Sequence, residues 1–390
     1  MTGGASAADP GRVQRRAGSA LEQISRPHVT QGNEQFQPLP APTGPFPYRL
    51  GLDRIVGAAQ ATGLARRRTV AFHVIGDTGG VKFPVPQQIV ADWMAHDYDD
   101  GGDLPLFCYH LGDVVYYNGE TAQYYSQFYE PYFDYAPPIV AISGNHDTDA
   151  INPAIEPPLT GFVRTFCSVA PQVLPEAGDA PRTTMVQPNV YWTLTAAQLT
   201  IVGLATNVPE GGQVDATQLA WFVGELEAAP ADRPLLVALH HPPYSADAHH
   251  GGSPRMAGLL DDAFAQARRL PDLVLAGHVH NYQRFTRTTQ GREIPYLVVG
   301  ASGYWHLHAM AKDGGRDLAV PWDVPGTDLQ LESYAADRHG FLRLTVSRRA
   351  IEGRYTTVPR PQESWSHGPV AVVDAFRVDT RAHTVTTVAG

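Results

Sequence analysis

The residues of this chain that could do chemistry fall in five short motifs: Gly76-Asp77-Thr78-Gly79, Gly112-Asp113-Val114-Val115-Tyr116, Gly144-Asn145-His146-Asp147, Val237-Ala238-Leu239-His240 and Gly277-His278-Val279-His280. Carboxylates, a carboxamide and imidazoles together are donors for divalent and trivalent metal ions. Two such ions about 3.5–4 Å apart can bind a phosphate, generate a hydroxide at neutral pH and neutralise the charge that develops as a phosphate ester is cleaved. That chemistry needs one carboxylate shared by both ions and ligands private to each. Asp77 and Asp113 each follow a glycine and precede a loop, which frees them from strand packing. Asn145 adds a neutral oxygen, and His240, His278 and His280 add nitrogens, the His278-x-His280 spacing reaching two neighbouring ions from one turn.

Each motif alone has a plainer reading. Gly-Asp after a strand is often a turn or a helix cap, Asn-His-Asp a turn, and a single histidine a satisfied core residue. Their joint occurrence points to a dinuclear site, because every one ends an apolar run. Thr69 to Ile75, Leu106 to Leu111, Ile139 to Ile142, Leu235 to Leu239 and Leu273 to Ala276 read as short strands covered on both faces. Open α/β sheets build their sites where such strands give way to loops. Between the runs lie helical patterns: Ile89, Val90, Trp93 and Met94 form one apolar stripe, and Leu219, Phe222, Val223 and Leu226 another, the second opened by Asp215 with Gln218 as a capping box.

Residues 1–45 are rich in Gly, Ala, Gln and Pro and read as a loose arm, with residues 46–390 as the catalytic domain. Six prolines make residues 149–187 a long irregular excursion of the kind that shapes access to a site. In the β-rich portion 296–390, Tyr296 to Val299, Phe341 to Val346, Ile351 to Val358 and Val370 to Val378 read as a second sheet packed on the first. With 390 residues, a net charge of -10 and no stretch of transmembrane length, the chain is expected to bury a large core and to avoid nucleic acid and anionic membranes. Cys108 and Cys167 have no metal-ligand spacing and are expected to be free thiols. The N-terminus lacks the apolar core of a signal peptide, and Arg15-Arg16 precede no export core, so a cytoplasmic location is expected.

The order GDxG, GDxxY, GNHD, VxxH, GHxH, spanning roughly residues 69–300, resembles the calcineurin-like metallophosphoesterases and specifically their purple acid phosphatase branch. Most of that superfamily carries a histidine two residues after the first aspartate, where this chain has Gly79; the purple branch replaces it with a tyrosine three residues after the bridging aspartate, here Tyr116. Tyr117 follows at once, and the spacing favours Tyr116 of the two. The resemblance implies Asp77, Tyr116 and His280 on a trivalent ion, Asn145, His240 and His278 on a divalent one, and Asp113 bridging. A phenol with an ordinary pKa near 10 binds as phenolate only to a strongly Lewis-acidic ion, so Fe(III) is expected, beside Fe, Zn or Mn.

The same resemblance implies a four-layer α/β/β/α sandwich of two mixed sheets flanked by helices. The activity it implies is hydrolysis of a small phosphate ester, most readily a monoester, by a metal-bound hydroxide. His146 is then the residue to touch phosphate or protonate the leaving group, with Asp147 orienting it; the purple branch usually has Glu at that place. His249 and His250 follow His240 at the interval of a substrate-facing pair in plant-type members, His241 reads as packing, and His306 and His308 are candidates for the rim. A diester or pyrophosphate hydrolase on the same scaffold is the alternative, since metal ligands do not encode what is attached to phosphorus. An inactive metal-binding module is the second alternative.

Overall fold

Successive side chains of a strand point to opposite faces, and in this chain both faces of the central strands are apolar. Val70, Phe72 and Val74 belong to one core while Ile75 belongs to another; Leu236 and Ala238 likewise separate from Leu235, Val237 and Leu239. The first core lies between two sheets. The second lies between the sheets and the helices outside them, where Ile89, Val90, Phe222, Leu226, Leu260 and Phe264 are buried. The layers are therefore helix, sheet, sheet, helix, as expected.

The computed structural model describes residues 35–99 and 104–388. Its strands, in chain order, are β1 (Arg49–Gly51), β2 (Thr69–Ile75), β3 (Pro105–His110), β4 (Ile139–Ala141), β5 (Trp192–Thr195), β6 (Thr200–Gly203), β7 (Leu235–Leu239), β8 (Leu273–Ala276) and β9 (Tyr282–Thr289). They continue as β10 (Arg292–Val299), β11 (Lys312–Asp313), β12 (Arg316–Asp317), β13 (Trp322–Asp323), β14 (Leu329–Ala335), β15 (Gly340–Ser347), β16 (Ala350–Thr357), β17 (Ala371–Asp379) and β18 (Thr384–Thr387). One sheet has the order β1-β5-β6-β7-β8-β10-β9-β14-β13 and the other β18-β17-β16-β15-β2-β3-β4, with β11 and β12 a separate hairpin. Parallel blocks, β6-β7-β8-β10 in one and β2-β3-β4 in the other, carry the five motifs at their C-terminal ends.

The C-terminal strands differ from expectation. They do not make a sheet of their own: β10 lies inside the first sheet between β8 and β9, and β15 extends the motif-bearing sheet by pairing antiparallel with β2, Leu342 opposite Val74. A buried strand such as β2 must bond along both edges, and apolar runs in the sequence do not say which distant strand supplies the second edge. Residues 1–34 of the expected arm lie outside the described residues. Residues 35–45 run along the body, the Gln37 backbone exchanging bonds of 2.8 and 2.9 Å with the Asn207 carboxamide. The Pro-rich excursion contains a helix, Thr160–Phe166, that seats Phe162 and Phe166 in the outer core. Both cysteines are buried and free. Asp215 caps the helix Ala216–Ala228 by accepting from the Gln218 amide at 2.7 Å, but the Gln218 side chain bonds Ala205 instead of returning to the cap. No helix among the described residues is long and apolar enough to cross a membrane.

A buried ion pair ties the two sheets together. Arg284 on β9 donates to both carboxylate oxygens of Asp374 on β17 at 2.7 and 2.9 Å, and the Tyr282 hydroxyl donates to the same group at 2.7 Å. Removing the guanidinium would strand a buried carboxylate. Arg284→Met should therefore lower unfolding stability by about 3–5 kcal/mol in urea denaturation, and adding Asp374→Leu should recover much of the loss. A single variant within about 1 kcal/mol of wild type would contradict this assignment.

Candidate metal centre

The loops after β2, β3 and β4 meet those after β7, β8 and β10 where the two sheets' edges approach. The approach is close: a Cβ on Gly76 would lie 2.8 Å from the Val299 carbonyl oxygen, and one on Gly277 would lie 2.7 Å from Asp77 Oδ2. Asp77, Asp113 and His278 adopt left-handed backbone, with φ of 55°, 54° and 68°. Asp and His are among the few side chains that enter this region, and each such residue costs about 1–3 kcal/mol that the surroundings must hold in place. Here the holding bonds run between the motifs: Asp77 N–H donates to the Gly112 carbonyl at 3.0 Å and Thr78 N–H to that of Asp113 at 3.1 Å.

Seven donors form two groups. In the first, the Tyr116 hydroxyl lies 3.4 Å from Asp77 Oδ1 and 3.3 Å from His280 Nε2, which is itself 3.7 Å from Asp77 Oδ1. In the second, Asn145 Oδ1 lies 3.0 Å from His240 Nε2 and 3.1 Å from His278 Nδ1, while Asp113 Oδ2 lies 3.4 Å from His240 Nε2. Two imidazoles have the tautomer fixed from behind, as metal-ligating histidines usually do. His240 Nδ1 meets the Leu111 carbonyl at 2.8 Å and His280 Nδ1 that of His306 at 3.0 Å, so each turns its Nε2 inward. Tyr116 is held through its backbone by the Gln127 carboxamide, which accepts from its N–H at 2.9 Å and donates to its carbonyl at 2.7 Å.

The electrostatics of this cluster call for cations. Burial drives the Asp77 carboxyl well above the carboxylate range, His240 opposing and the Asp113 charge adding to the rise. Burial would do the same to Asp113, but His240, then His146 and His278, hold it well below. Burial, followed by the Asp113 and Asp77 charges, pushes the Tyr116 phenol well above 10. Bound cations would oppose the rise at Asp77 and Tyr116 and add to the hold on Asp113, and the donor chemistry fits them: two carboxylates, a phenol, a carboxamide and three imidazoles. Asp77, Tyr116 and His280 would hold one ion; Asn145, His240 and His278 the other; Asp113 sits against the second group.

The residues around the donors divide. His146 donates its own N–H to Asp113 Oδ1 at 3.0 Å, and its Nδ1 meets the Tyr117 carbonyl at 2.7 Å, so that Nε2 is the ring nitrogen outside that bond. Asp147 does not orient that ring. Its carboxylate instead accepts from the backbone N–H groups of Val114 (3.0 Å), Val115 (3.2 Å) and Gly144 (2.9 Å), clamping the second motif to the third. His249 and His250 part company: both backbone amides bond Asp247, but the His250 ring packs 4.6 Å from His278, whereas the exposed His249 ring faces His306 and His308 at 5.9 and 4.6 Å. His241 is buried against Thr206, and the His308 ring lies 4.3 Å from that of His280.

Two residues at this site carry no motif in the sequence. Glu210 Oε1 lies 3.3 Å from His250 Nδ1 and 3.6 Å from His278 Nε2, joining a metal-side histidine to a substrate-side one. The Tyr304 ring packs at a tilt against Tyr116, with centroids 4.2 Å apart, and against His280 at 4.5 Å. Glu210 follows the apolar run of β6, a strand ending on the site's edge, and that run was its one sequence signal.

The Calcineurin-like phosphoesterase family matches residues 72–282, just over half of the chain. This chain belongs to that family. It is 24% identical over 299 residues to purple acid phosphatase 18 of Arabidopsis thaliana, covering 72% of this chain but only 61% of the plant protein. It is 27% identical over 238 residues to a probable cyclic nucleotide phosphodiesterase of Rhodopseudomonas palustris, covering 58% of this chain and 73% of that one. Among solved structures, the purple acid phosphatase of yellow lupin seeds superposes with a TM-score of 0.52 at 16% identity, over 81% of this chain and 54% of its own, which supports the fold.

If the grouping is right, the two donor sets respond differently to mutation. Asp113→Asn should lower the content of both ions and abolish turnover, while Asn145→Ala should lose mainly one ion. Elemental analysis of the two variants checks this; an Asp113→Asn protein that keeps both metals would mean the shared carboxylate is misassigned.

Proposed function

We propose that this chain hydrolyses phosphate monoesters at a dinuclear metal centre of the purple acid phosphatase kind. The observation carrying the reading is at Gly79. A Cβ there would sit 2.8 Å from Tyr116 Cδ2 and 2.4 Å from Gln127 Oε1, so Tyr116 and its backbone support fill the space a side chain at position 79 would need. The missing histidine and the inserted tyrosine are thus one steric choice, and that choice distinguishes the purple branch. A phenol among carboxylates suits Fe(III) in the first set, with Fe, Zn or Mn in the second.

When bound, the ions would acidify a water and neutralise charge on the transferring group. The side chains do the rest. His146, locked by the Tyr117 carbonyl, presents Nε2 to hold a proton for the departing alcohol. His250 is held against Glu210; burial is the largest influence and disfavours its cation, but the Glu210 bond and charge, with the Asp247 and Asp113 charges, together raise its pKa, which supports a positive group facing phosphate. In a chain of net charge -10, such local positive charge is needed to attract an anionic ester.

The Rhodopseudomonas relative, by its name, favours a second reading in which diesters are cleaved. Rates on 4-nitrophenyl phosphate and bis(4-nitrophenyl) phosphate separate the two: we expect the monoester to be preferred, and a preference for the diester would overturn it. On the preferred substrate, His146→Ala should cut kcat by about 10²–10⁴-fold with both metals retained. An unchanged kcat would remove His146 from proton transfer, and loss of metal would place it among the ligands.

A further inference from the structure

Two large exposed rings stand beside the donor groups. Tyr117 is 41% exposed and Trp305 37%. Each sits one residue beyond a donor-side aromatic: Tyr117 follows Tyr116, and Trp305 follows Tyr304, the ring packed against Tyr116 and His280. They come from different loops, after β3 and after β10, yet face one space. The Lys82 ammonium, from the loop after β2, lies 5.6 Å from the Tyr117 centroid and 5.1 Å from that of Trp305.

That space adjoins the proton-delivering end of the site. Tyr117 supplies the carbonyl that fixes His146, its ring lies 6.4 Å from the His146 ring, and Trp305 lies 5.1 Å from His306. Phosphate anchored at the donors and an alcohol departing towards His146 would put the rest of the substrate between or against Tyr117 and Trp305.

We propose that Tyr117, Trp305 and Lys82 form a leaving-group subsite that selects phosphate esters whose alcohol carries a planar aromatic ring. The inference rests on the hydrolase reading above and adds the substrate class to it. Stacking a base on an aromatic side chain strengthens binding by a factor on the order of 5–100, whereas an exposed lysine over a ring contributes only about two- to fivefold. An incoming ring therefore displaces the ammonium. Lys82, on its flexible four-carbon stem, is then free to turn to the substrate's phosphate. A nucleobase and a simple aryl group share the required chemistry, and the arms of the test tell them apart.

The test compares kcat/KM for adenosine 5′-monophosphate, phenyl phosphate and glycerol 2-phosphate in the metal-loaded full chain, in Trp305→Ala, in Tyr117→Leu and in the double variant. Each single variant should lower the ratio of ring-bearing ester to glycerol 2-phosphate by about 10-fold, mainly through KM, and Trp305→Phe should restore most of it. A fall for both ring esters means that a bare ring suffices, and a fall for the nucleotide alone means that the slot is sized for a base. A ratio unmoved within twofold, in all three variants, overturns the subsite while glycerol phosphate hydrolysis leaves the hydrolase reading standing. A wild type that cleaves none of the three esters overturns that reading, and the subsite with it.

Discussion

Two buried carboxylates, a buried phenol and three buried imidazoles share one corner of this protein, removed from water. Like charges about 4 Å apart repel by about 4 kcal/mol at an effective dielectric near 20, and desolvation adds to that for each anion. Bound cations would relieve that cost, and the rest of the structure is organised to keep the donors facing one another despite it. Strand ends serve this better than free loops. Parallel blocks from both sheets terminate at one edge, glycines allow the backbones to approach closely, and hydrogen bonds between motifs hold Asp77 and Asp113 in left-handed conformations.

The layers behind the site explain how so polar a corner is tolerated. Alternating apolar strands fill a core between the sheets and another beneath the helices, and the Arg284–Asp374 pair links β9 to β17 across them. Support then passes forward through single groups: the Gln127 carboxamide to Tyr116, the Asp147 carboxylate to the loops on either side of it, and Glu210 to His250 and His278. The His146 and His250 rings are fixed by the same means, through the Tyr117 carbonyl and Glu210.

Much of the donor set was legible in the sequence because each donor ends a strand whose apolar run is a local signal. The side chains of Asp77, Tyr116 and His280 lie together, and separately those of Asn145, His240 and His278. What was not legible depends on long-range pairing. The runs at Tyr296 to Val299 and Phe341 to Val346 read alike, yet one joins β8 and the other β2. Asp147 reads as the orienting partner of its neighbour, but in a short helical turn its carboxylate reaches back to backbone amides and a carbonyl from another loop takes the imidazole. Glu210 and Tyr304 belong to no motif and are placed by tertiary contacts alone.

The central claim is that the Tyr116 set and the Asn145 set each hold one ion, with the tyrosine selecting a trivalent iron. Elemental analysis of the purified chain combined with its visible absorption spectrum tests this directly. The account predicts two ions per chain, at least one of them iron, and a phenolate-to-iron band that disappears in Tyr116→Phe while the fold persists. A colourless chain, fully active with zinc or manganese alone in both sets, would contradict it.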